Sequence, residues 1–237
     1  MRNTLAIAER ELKSYFVSPV PYVVTGLFLV IAGVLFSGPF SRVSEATLRY
    51  WIGNVSVIWL IVLPAFTMRL LAEEARSGTI ELLLTNPVRD FEVVLGKYLA
   101  ALGSLLGILA LTLYYPAVLF IFGSPDGGPI LTSYVGIILQ GAAFLAVGLW
   151  ASSFTQNQII AYFLSFAILL IMWLGDLVAD AIGKPGSDAM RYLSVPSHFQ
   201  DFSRGVIDTT HVIYFLSIVA AALFLAYLSL QTRRWGG

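Results

Sequence analysis

The residues best suited to chemistry in this sequence are carboxylates gathered in two polar segments. Glu73, Glu74 and Glu81 lie in the first segment, and neighbouring carboxylates are a common acid–base pair in enzymes. The same charges also suit the start of a helix, where they stabilise the helix dipole, or they can pair with basic residues of another protein. We interpret them as non-catalytic, and we predict no catalytic residue in the chain.

The second polar segment, 175–211, carries residues that could ligate a cation. Asp176 and Asp180 are four residues apart, and His198 and Asp201 follow later. Their spacing matches neither a zinc site nor a calcium loop. We therefore predict a solvated loop and no metal site.

The nucleotide-binding and thiol chemistries are excluded more directly. The chain contains no G-x-x-x-x-G-K-[ST] motif, because its two Gly-Lys pairs, at 96–97 and 183–184, are not followed by Ser or Thr. We expect no cofactor on this chain, and any ATP-driven step must come from another polypeptide. The absence of cysteine rules out disulfides, thiolate metal sites and a cysteine nucleophile.

The composition is that of an integral membrane protein. Hydrophobic residues make up 58% of the 237 residues and charged residues only 12%, with a mean hydropathy of +0.82. Soluble domains carry about twice that charged fraction. A formal net charge of zero argues against a nucleic-acid partner.

Six apolar stretches reach the length of about 20 residues that a membrane-spanning helix requires. We predict an all-α, polytopic fold forming one domain over 1–237, with no room for a soluble domain. The predicted spans are about 20–36, 52–68, 98–122, 130–153, 159–174 and 212–230.

The third and last spans carry further local signals. Pro116 predicts a kink in the third span, because proline removes a backbone hydrogen bond, and Asp208 is a candidate cap for the last span. A ridge of small residues at fourfold spacing begins the third span and predicts close helix packing within the subunit. The ridge consists of Gly96, Ala100, Gly103 and Gly107.

The N-terminal residues 3–16 precede the first span and are amphipathic. One helical stripe is apolar and the remaining positions are charged, which is typical of a helix lying in the membrane interface. The alternative is a plain N-terminal segment. The stripe consists of Leu5, Ala8, Leu12 and Phe16, and the charged positions are Glu9, Arg10, Glu11 and Lys13.

Residues 69–97 form a charged segment held between the second and third spans. Ser77-Gly78 is a plausible break, Thr79 a candidate cap for a second helix, and Asn86-Pro87 its end. Asp90 is a candidate N-cap for the helix entering the next span. The pattern predicts a short amphipathic helix at the membrane surface, a shape suited to docking a partner.

This segment resembles the cytoplasmic loop of ABC-2-type transporter permeases, most closely the short six-span permeases associated with gliding motility. In that family the loop is a coupling helix seated in a cleft of a separate ATPase subunit, which binds ATP and magnesium. The alternative is an ordinary solvated loop. The coupling residues implied by the resemblance are Glu73, Glu74, Arg76, Gly78, Thr79, Ile80, Glu81, Leu82, Leu83, Leu84 and Pro87.

Two other stretches are similar to the same family. Residues 3–16, with Ser18-Pro19, resemble its elbow helix, and residues 198–208, with the following 214–216, resemble the link before its final span. The resemblance implies a P-loop ATPase in two copies and an accessory membrane protein with an extracytoplasmic domain. Because six spans cannot easily enclose a wide path, we also expect a second permease subunit, forming a homodimer or heterodimer.

The orientation follows from the lysines and arginines. Nine lie at the two termini and in residues 69–97, against five in the other loops. The positive-inside rule then places both termini and residues 69–97 in the cytoplasm. We predict a multi-pass protein of the bacterial cytoplasmic membrane.

No Asp, Glu, Lys or Arg lies well inside a predicted span, which argues against an ion-coupled carrier or an intramembrane enzyme. The interpretation is a permease subunit of an ABC-2 exporter that couples ATP hydrolysis by its partner to substrate movement. The alternative is a non-transporting scaffold or mechanotransmission subunit that recruits a cytoplasmic ATPase. No residue pattern identifies the substrate or the residues lining its path.

Overall fold

The computed structural model describes residues 2–37, 47–78, 89–183 and 186–235, and its regular elements in these ranges are all α-helices. The predicted all-α class is confirmed. The helices are α1 (Arg2–Val17), α2 (Pro19–Ser37), α3 (Arg49–Thr67), α4 (Ala72–Ser77), α5 (Asp90–Thr112), α6 (Tyr114–Phe122), α7 (Gly127–Ser153), α8 (Gln158–Trp173), α9 (Gly175–Ile182), α10 (Gly186–Tyr192), α11 (Val195–Ser203) and α12 (Thr209–Trp235).

Five helical stretches are long and apolar enough to cross a bilayer, and a sixth qualifies only as a bent pair, α8 with α9. By length and composition, the described residues therefore contain five candidate spans, or six if the bent pair crosses as one. The five are Pro19–Ser37, Arg49–Ser77, Asp90–Phe122, Gly127–Ser153 and Thr209–Thr232.

The fifth predicted span, 159–174, coincides with α8, and the chain after it differs from the prediction. Helix α8 has 16 residues, about 24 Å of helix, which is short for a bilayer. The chain then bends by 70° into α9. Gly175, predicted to begin a polar loop, instead begins α9. A Cβ there would lie 2.8 Å from the Met190 carbonyl oxygen and 2.9 Å from the Ser194 Cα, so this bend requires glycine.

The third span is interrupted between α5 and α6 at Leu113. Pro116 has no amide hydrogen for the carbonyl of Thr112, so the helical bonding pattern cannot continue through this turn. The predicted kink coincides with this interruption, which lies three residues before the proline, and Asp90–Phe122 still qualifies as one spanning stretch.

Helix α7 lies at the centre of the bundle, and every residue from Gln140 to Leu149 is buried. Three glycines on α7 let other helices approach closely, since a Cβ at any of them would collide with a neighbouring side chain. These contacts fix α3 and α11 against α7. The facing pairs are Gly136 with Phe202, Gly141 with Trp59 and Gly148 with Thr67.

A buried polar pair adds a second tie between α3 and α7. The Ser56 hydroxyl donates to Oε1 of Gln140 at 2.6 Å, and both side chains are fully buried. Helix α2 is held more loosely, with 11% of its span buried, although Trp51 Nε1 donates to the Ala32 carbonyl at 2.8 Å. The α3–α7 pair is thus the firm part of this half of the bundle.

Candidate functional site: the base of residues 79–88

The segment predicted to dock a partner lies mostly outside the described residues, which end at Gly78 and resume at Arg89. What the structure describes is the base of this segment, namely the chain that enters it and the chain that leaves it. We define the segment base as three parts of the chain. They are α4 with Gly78, Arg89 with the first two turns of α5, and the part of α1 that packs on them.

The entering chain is a continuation of α3. After a turn at 68–71, α4 runs to Ser77 and ends at Gly78, whose φ of +69° is the left-handed conformation that glycine favours. The predicted break at Ser77-Gly78 is confirmed. Arg69 holds this turn in place, because its Nε lies 2.9 Å from Glu73 Oε2 and its terminal nitrogen donates to Ser18 Oγ at 2.7 Å.

The leaving chain begins α5 one residue earlier than the capping prediction implied. Arg89 has the extended backbone of an N-cap, and its amide donates to the Glu92 carboxylate at 3.2 Å. Asp90 is the first helical residue and is buried, so the prediction that Asp90 is the N-cap was wrong by one position. Asn3 of α1 also donates to Glu92, at 3.3 Å.

A buried lysine joins the three helices of the segment base. Lys97 of α5 is 1% exposed, and its Nζ lies 2.7 Å from Glu11 Oε1 of α1 and 2.8 Å from Glu74 Oε1 of α4. Arg10 lies 3.4 Å from each carboxylate and closes the cluster on its solvent side. We call Arg10, Glu11, Glu74 and Lys97 the base cluster.

The base cluster is electrically balanced, with two cations and two anions. The carboxylates of Glu11 and Glu74 are about 15% exposed, while Arg10 is 59% exposed. An ammonium removed from water is tolerated only when anions surround it closely, as the two carboxylates do around Lys97. The cluster therefore specifies how α1, α4 and α5 lie relative to one another.

Close packing of α1 on α5 supports this arrangement. A Cβ on Gly96 would lie 2.8 Å from Ile7 Cβ and 2.9 Å from the Thr4 carbonyl, and one on Gly103 would lie 3.7 Å from Leu12. The small-residue ridge of α5 was interpreted as packing within the subunit, and these two glycines confirm it. Gly107 is also on the ridge, but a Cβ added there would have no neighbouring atom within 4 Å.

Helix α1 also contacts the end of α3. The Tyr15 hydroxyl donates to the Phe66 carbonyl at 2.8 Å, close to the point where the chain leaves α3. Burial raises the pKa of Tyr15 well above its usual value, so the phenol remains a donor at physiological pH. α1 thus reaches both the entering and the leaving chains of the segment.

The predicted polarity of α1 needs correction at Glu11. Leu5 and Phe16, on the stripe predicted to lie in the membrane interface, are 65% and 66% exposed on the protein. Glu11, placed among the outward charges, points into the base cluster. The buried side of α1 is set by the glycine groove of α5 and by Lys97. A hydrophobic stripe alone could not show this.

Of the eleven predicted coupling residues, four fall within the described part of the chain. Glu74 is in the base cluster, Glu73 pairs with Arg69, and Arg76 and Gly78 are exposed at the end of α4. The other seven lie outside the described residues: Thr79, Ile80, Glu81, Leu82, Leu83, Leu84 and Pro87.

The sequence-based interpretation missed Glu11 and Lys97 as members of this site. Lys97 was assigned to the charged loop, although it directly follows Gly96 on the small-residue ridge. The position of Lys97 next to Gly96 is the sequence signal for its burial, because a lysine on a close-packed helix face needs a buried anion.

The residues considered for a cation are at the other end of the bundle and bind different partners. The Asp176 carboxylate accepts from Ser194 Oγ at 2.7 Å, Asp180 pairs with Arg191 at 2.6 Å, and Asp201 lies 2.8 Å from His211 Nε2. No group of three or more metal-ligating side chains occurs within the part of the chain that the structure describes.

His198 is the centre of an aromatic cluster at that end. Its ring stacks on Tyr214 with centroids 3.7 Å apart, and Nδ1 lies 2.9 Å from the Ser194 carbonyl oxygen. Burial lowers the pKa of His198 from its ordinary value, which favours the neutral imidazole. Asp208, predicted to cap the last span, accepts from the Thr210 amide at 2.7 Å, and this prediction is confirmed.

Comparison with known proteins assigns the chain to a family. Residues 10–192 match the family described as ABC-2 family transporter protein, a region that covers most of the chain. The chain belongs to the ABC-2 transporter family. Its membership agrees with the five or six apolar helices and identifies a multi-pass membrane protein of the permease type.

Two curated relatives carry the same name. The chain is similar to the "Probable multidrug ABC transporter permease YbhS" of Escherichia coli K12 and to that of Escherichia coli O157:H7, each 26% identical over 216 residues. The match covers 82% of this chain and 57% of either relative. The chain thus spans little more than half the length of the curated relatives it matches.

Proposed function

We propose that this chain is the membrane permease subunit of an ABC-2 exporter, driven by ATP hydrolysis on a separate subunit. Family membership supports the permease role. The division of labour is supported by the sequence, which has no phosphate-binding loop of its own. In this proposal ATP and magnesium bind to the partner, and this chain carries no cofactor.

The coupling role rests on one observation, the base cluster around Lys97. It ties α4, through Glu74, and α5, through Lys97, to α1 at the two ends of residues 79–88. A displacement of that segment is then passed to several helices together instead of being absorbed by a hinge. This is the mechanical property that a coupling element requires.

The remaining parts of the assembly are proposed with it. Glu73 to Pro87 would dock in a cleft of the ATPase, two copies of which would serve a homodimer or heterodimer of permeases, with an accessory membrane protein as a further partner. The complex would lie in the bacterial cytoplasmic membrane, with both termini and residues 69–97 in the cytoplasm.

The docking role is tested by charge substitutions in the apolar part of the segment. Leu82→Glu with Leu83→Glu should abolish co-purification of the ATPase when the two proteins are expressed together, because two buried carboxylates would oppose docking. Val206→Glu is the matched control, since Val206 is exposed at the other end of the bundle. Unchanged co-purification of the double variant would exclude the docking role.

A non-transporting scaffold would use the same docking surface. It is distinguished by ATP hydrolysis, which the exporter proposal expects to rise when the permease and the ATPase are reconstituted together. An assembled complex with the hydrolysis rate of the ATPase alone would favour the scaffold.

A further inference from the structure

A groove with mixed polar and aromatic walls lies at the end of the bundle opposite the segment base. It has a volume of about 570 Å³ and runs between the start of α3, the end of α8 and α11. Its polar wall includes Arg49, Asn54 and Gln200, and its apolar wall includes Trp173 and Phe199. A second cavity of about 370 Å³ shares Arg49 with it.

Among the residues that the structure describes, the walls of this groove carry a net positive charge, that of Arg49. Within the described ranges, the Arg49 guanidinium has no ion pair or side-chain hydrogen bond, and its backbone amide alone is bonded, to Thr47. The one carboxylate on the described walls is that of Asp126, in the second cavity, where it accepts from the Gly128 amide as the cap of α7. A planar guanidinium without a counter-ion suits a phosphate or carboxylate.

The position of the groove along the helices favours an amphiphilic ligand. Arg49 is the first residue of α3 and Trp173 the last of α8, so both lie at helix ends on the same side of the bundle. Tryptophans are enriched in membrane proteins at the level of the lipid headgroups. From Arg49 the exposed face of α3 continues towards the membrane interior through Tyr50, Val57 and Ile61. A headgroup at Arg49 would leave its acyl chain along this apolar face.

We propose that this groove binds an anionic amphiphile, with its headgroup phosphate on Arg49 and Gln200 and its chain against Trp173, Phe199 and the exposed face of α3. The site goes beyond the proposed coupling function and does not depend on it. It requires only that the start of α3 and the end of α8 meet on one side of the bundle, which their shared groove shows.

The test measures quenching of tryptophan fluorescence by brominated lipids around the full-length protein in nanodiscs. Brominated phosphatidylglycerol should quench more than brominated phosphatidylcholine at equal mole fraction. In Arg49→Gln the preference for phosphatidylglycerol should fall about tenfold, the loss expected for one charge-assisted hydrogen bond. Arg49→Lys should retain part of it, and circular dichroism should show that all variants keep their helix content.

Two variants localise the effect. Trp173→Phe should remove the excess quenching, whereas Arg204→Gln, which changes an exposed arginine already paired with Asp201, should keep it. The proposal is overturned if wild type shows no lipid preference, or if the preference survives in Arg49→Gln or Trp173→Phe. Competition by millimolar inorganic phosphate in wild type but not in Arg49→Gln would also overturn it, by identifying a soluble anion as the ligand.

Discussion

At the scale of single residues, substitution of Lys97 is expected to have the largest effect on the free energy of unfolding. Its ammonium is almost completely removed from water and is compensated by Glu11 and Glu74. A buried charge cluster of this kind adds little net stability over an apolar equivalent, but breaking it is costly. The cluster instead fixes the relative positions of α1, α4 and α5, because the Lys97 ammonium is paired with both carboxylates in only one arrangement of these helices.

Lys97→Met is expected to destabilise the protein by about 3–5 kcal/mol, since the Glu11 and Glu74 carboxylates would stay largely buried without the ammonium. Thermal unfolding of the purified protein in detergent would measure this. Lys13→Met is the matched control, because Lys13 is 73% exposed and pairs with Glu9 on the same helix. Equal unfolding midpoints for the two variants would show that the base cluster does not hold the helices.

His198 predicts a dependence of stability on pH. Burial lowers its pKa below the ordinary histidine value of 6.5, so the unfolded chain binds more protons than the folded one as the pH drops through 6.5. Stability from this site is therefore complete above pH 6.5 and is lost as the pH falls towards the folded pKa. The thermal midpoint should drop between about pH 7.5 and about pH 5.5 in wild type and drop less in His198→Gln.

Chemical denaturation at the two pH values checks the same linkage. The chain has only two histidines, and the other, His211, is paired with Asp201. An identical pH dependence in wild type and His198→Gln would remove His198 as its source.

At the scale of helices, α1 behaves as part of the segment base. Its contacts with α5 depend on Gly96, where the backbone of α5 meets Ile7 and Thr4. Because α1 also bonds to Phe66 at the end of α3, its displacement would loosen both ends of the segment. The helix is thus expected to contribute to coupling as well as to anchoring.

Gly96→Ala should separate α1 from α5, since a Cβ at that position overlaps both Ile7 and a backbone oxygen. Limited proteolysis should then cut within α1 at a protease concentration that leaves wild type intact. Gly107→Ala is the matched control on the same helix ridge, because nothing lies within 4 Å of its Cβ position. It should be neutral or slightly stabilising, as alanine favours the helix by about 0.5–1 kcal/mol. Protection of α1 in Gly96→Ala would contradict this packing.

Much of the helical architecture could be predicted because it depends on local sequence. The long apolar runs predict the spans, Gly78 predicts a helix end, and Asp208 predicts a helix start. The small-residue ridge of α5 indicates close packing, and its partner proved to be α1. These features depend on residues near one another in the chain.

The missed features depend on contacts between distant residues. The bend at Gly175 follows from the approach of the end of α10, and the burial of Lys97 follows from carboxylates 86 and 23 positions away. A hydropathy pattern places a lysine in a loop, because it takes no account of the distant carboxylates that can pair with the lysine. The one-domain organisation and the resemblance to gliding-motility permeases stay predictions.

At the scale of the whole molecule, the two ends of the bundle differ in character. One end carries the base cluster and leads into residues 79–88, and the other carries the Arg49 groove and the His198 cluster. Helix α3 connects them, since it begins at Arg49, is fixed to α7 by Ser56 and Gln140, and continues into α4. A force applied at residues 79–88 would reach the other end of the bundle through α3.

The account depends most on where residues 79–88 lie and what they contact. Because the chain has no cysteine, Leu83→Cys provides a unique thiol for a benzophenone maleimide, and Val206→Cys provides its counterpart at the other end. After illumination of membranes containing the co-expressed ATPase, Leu83→Cys should cross-link to the ATPase and Val206→Cys should not. Labelling of Leu83→Cys by an impermeant maleimide added outside intact cells, or cross-linking of the ATPase to Val206→Cys instead, would contradict the account.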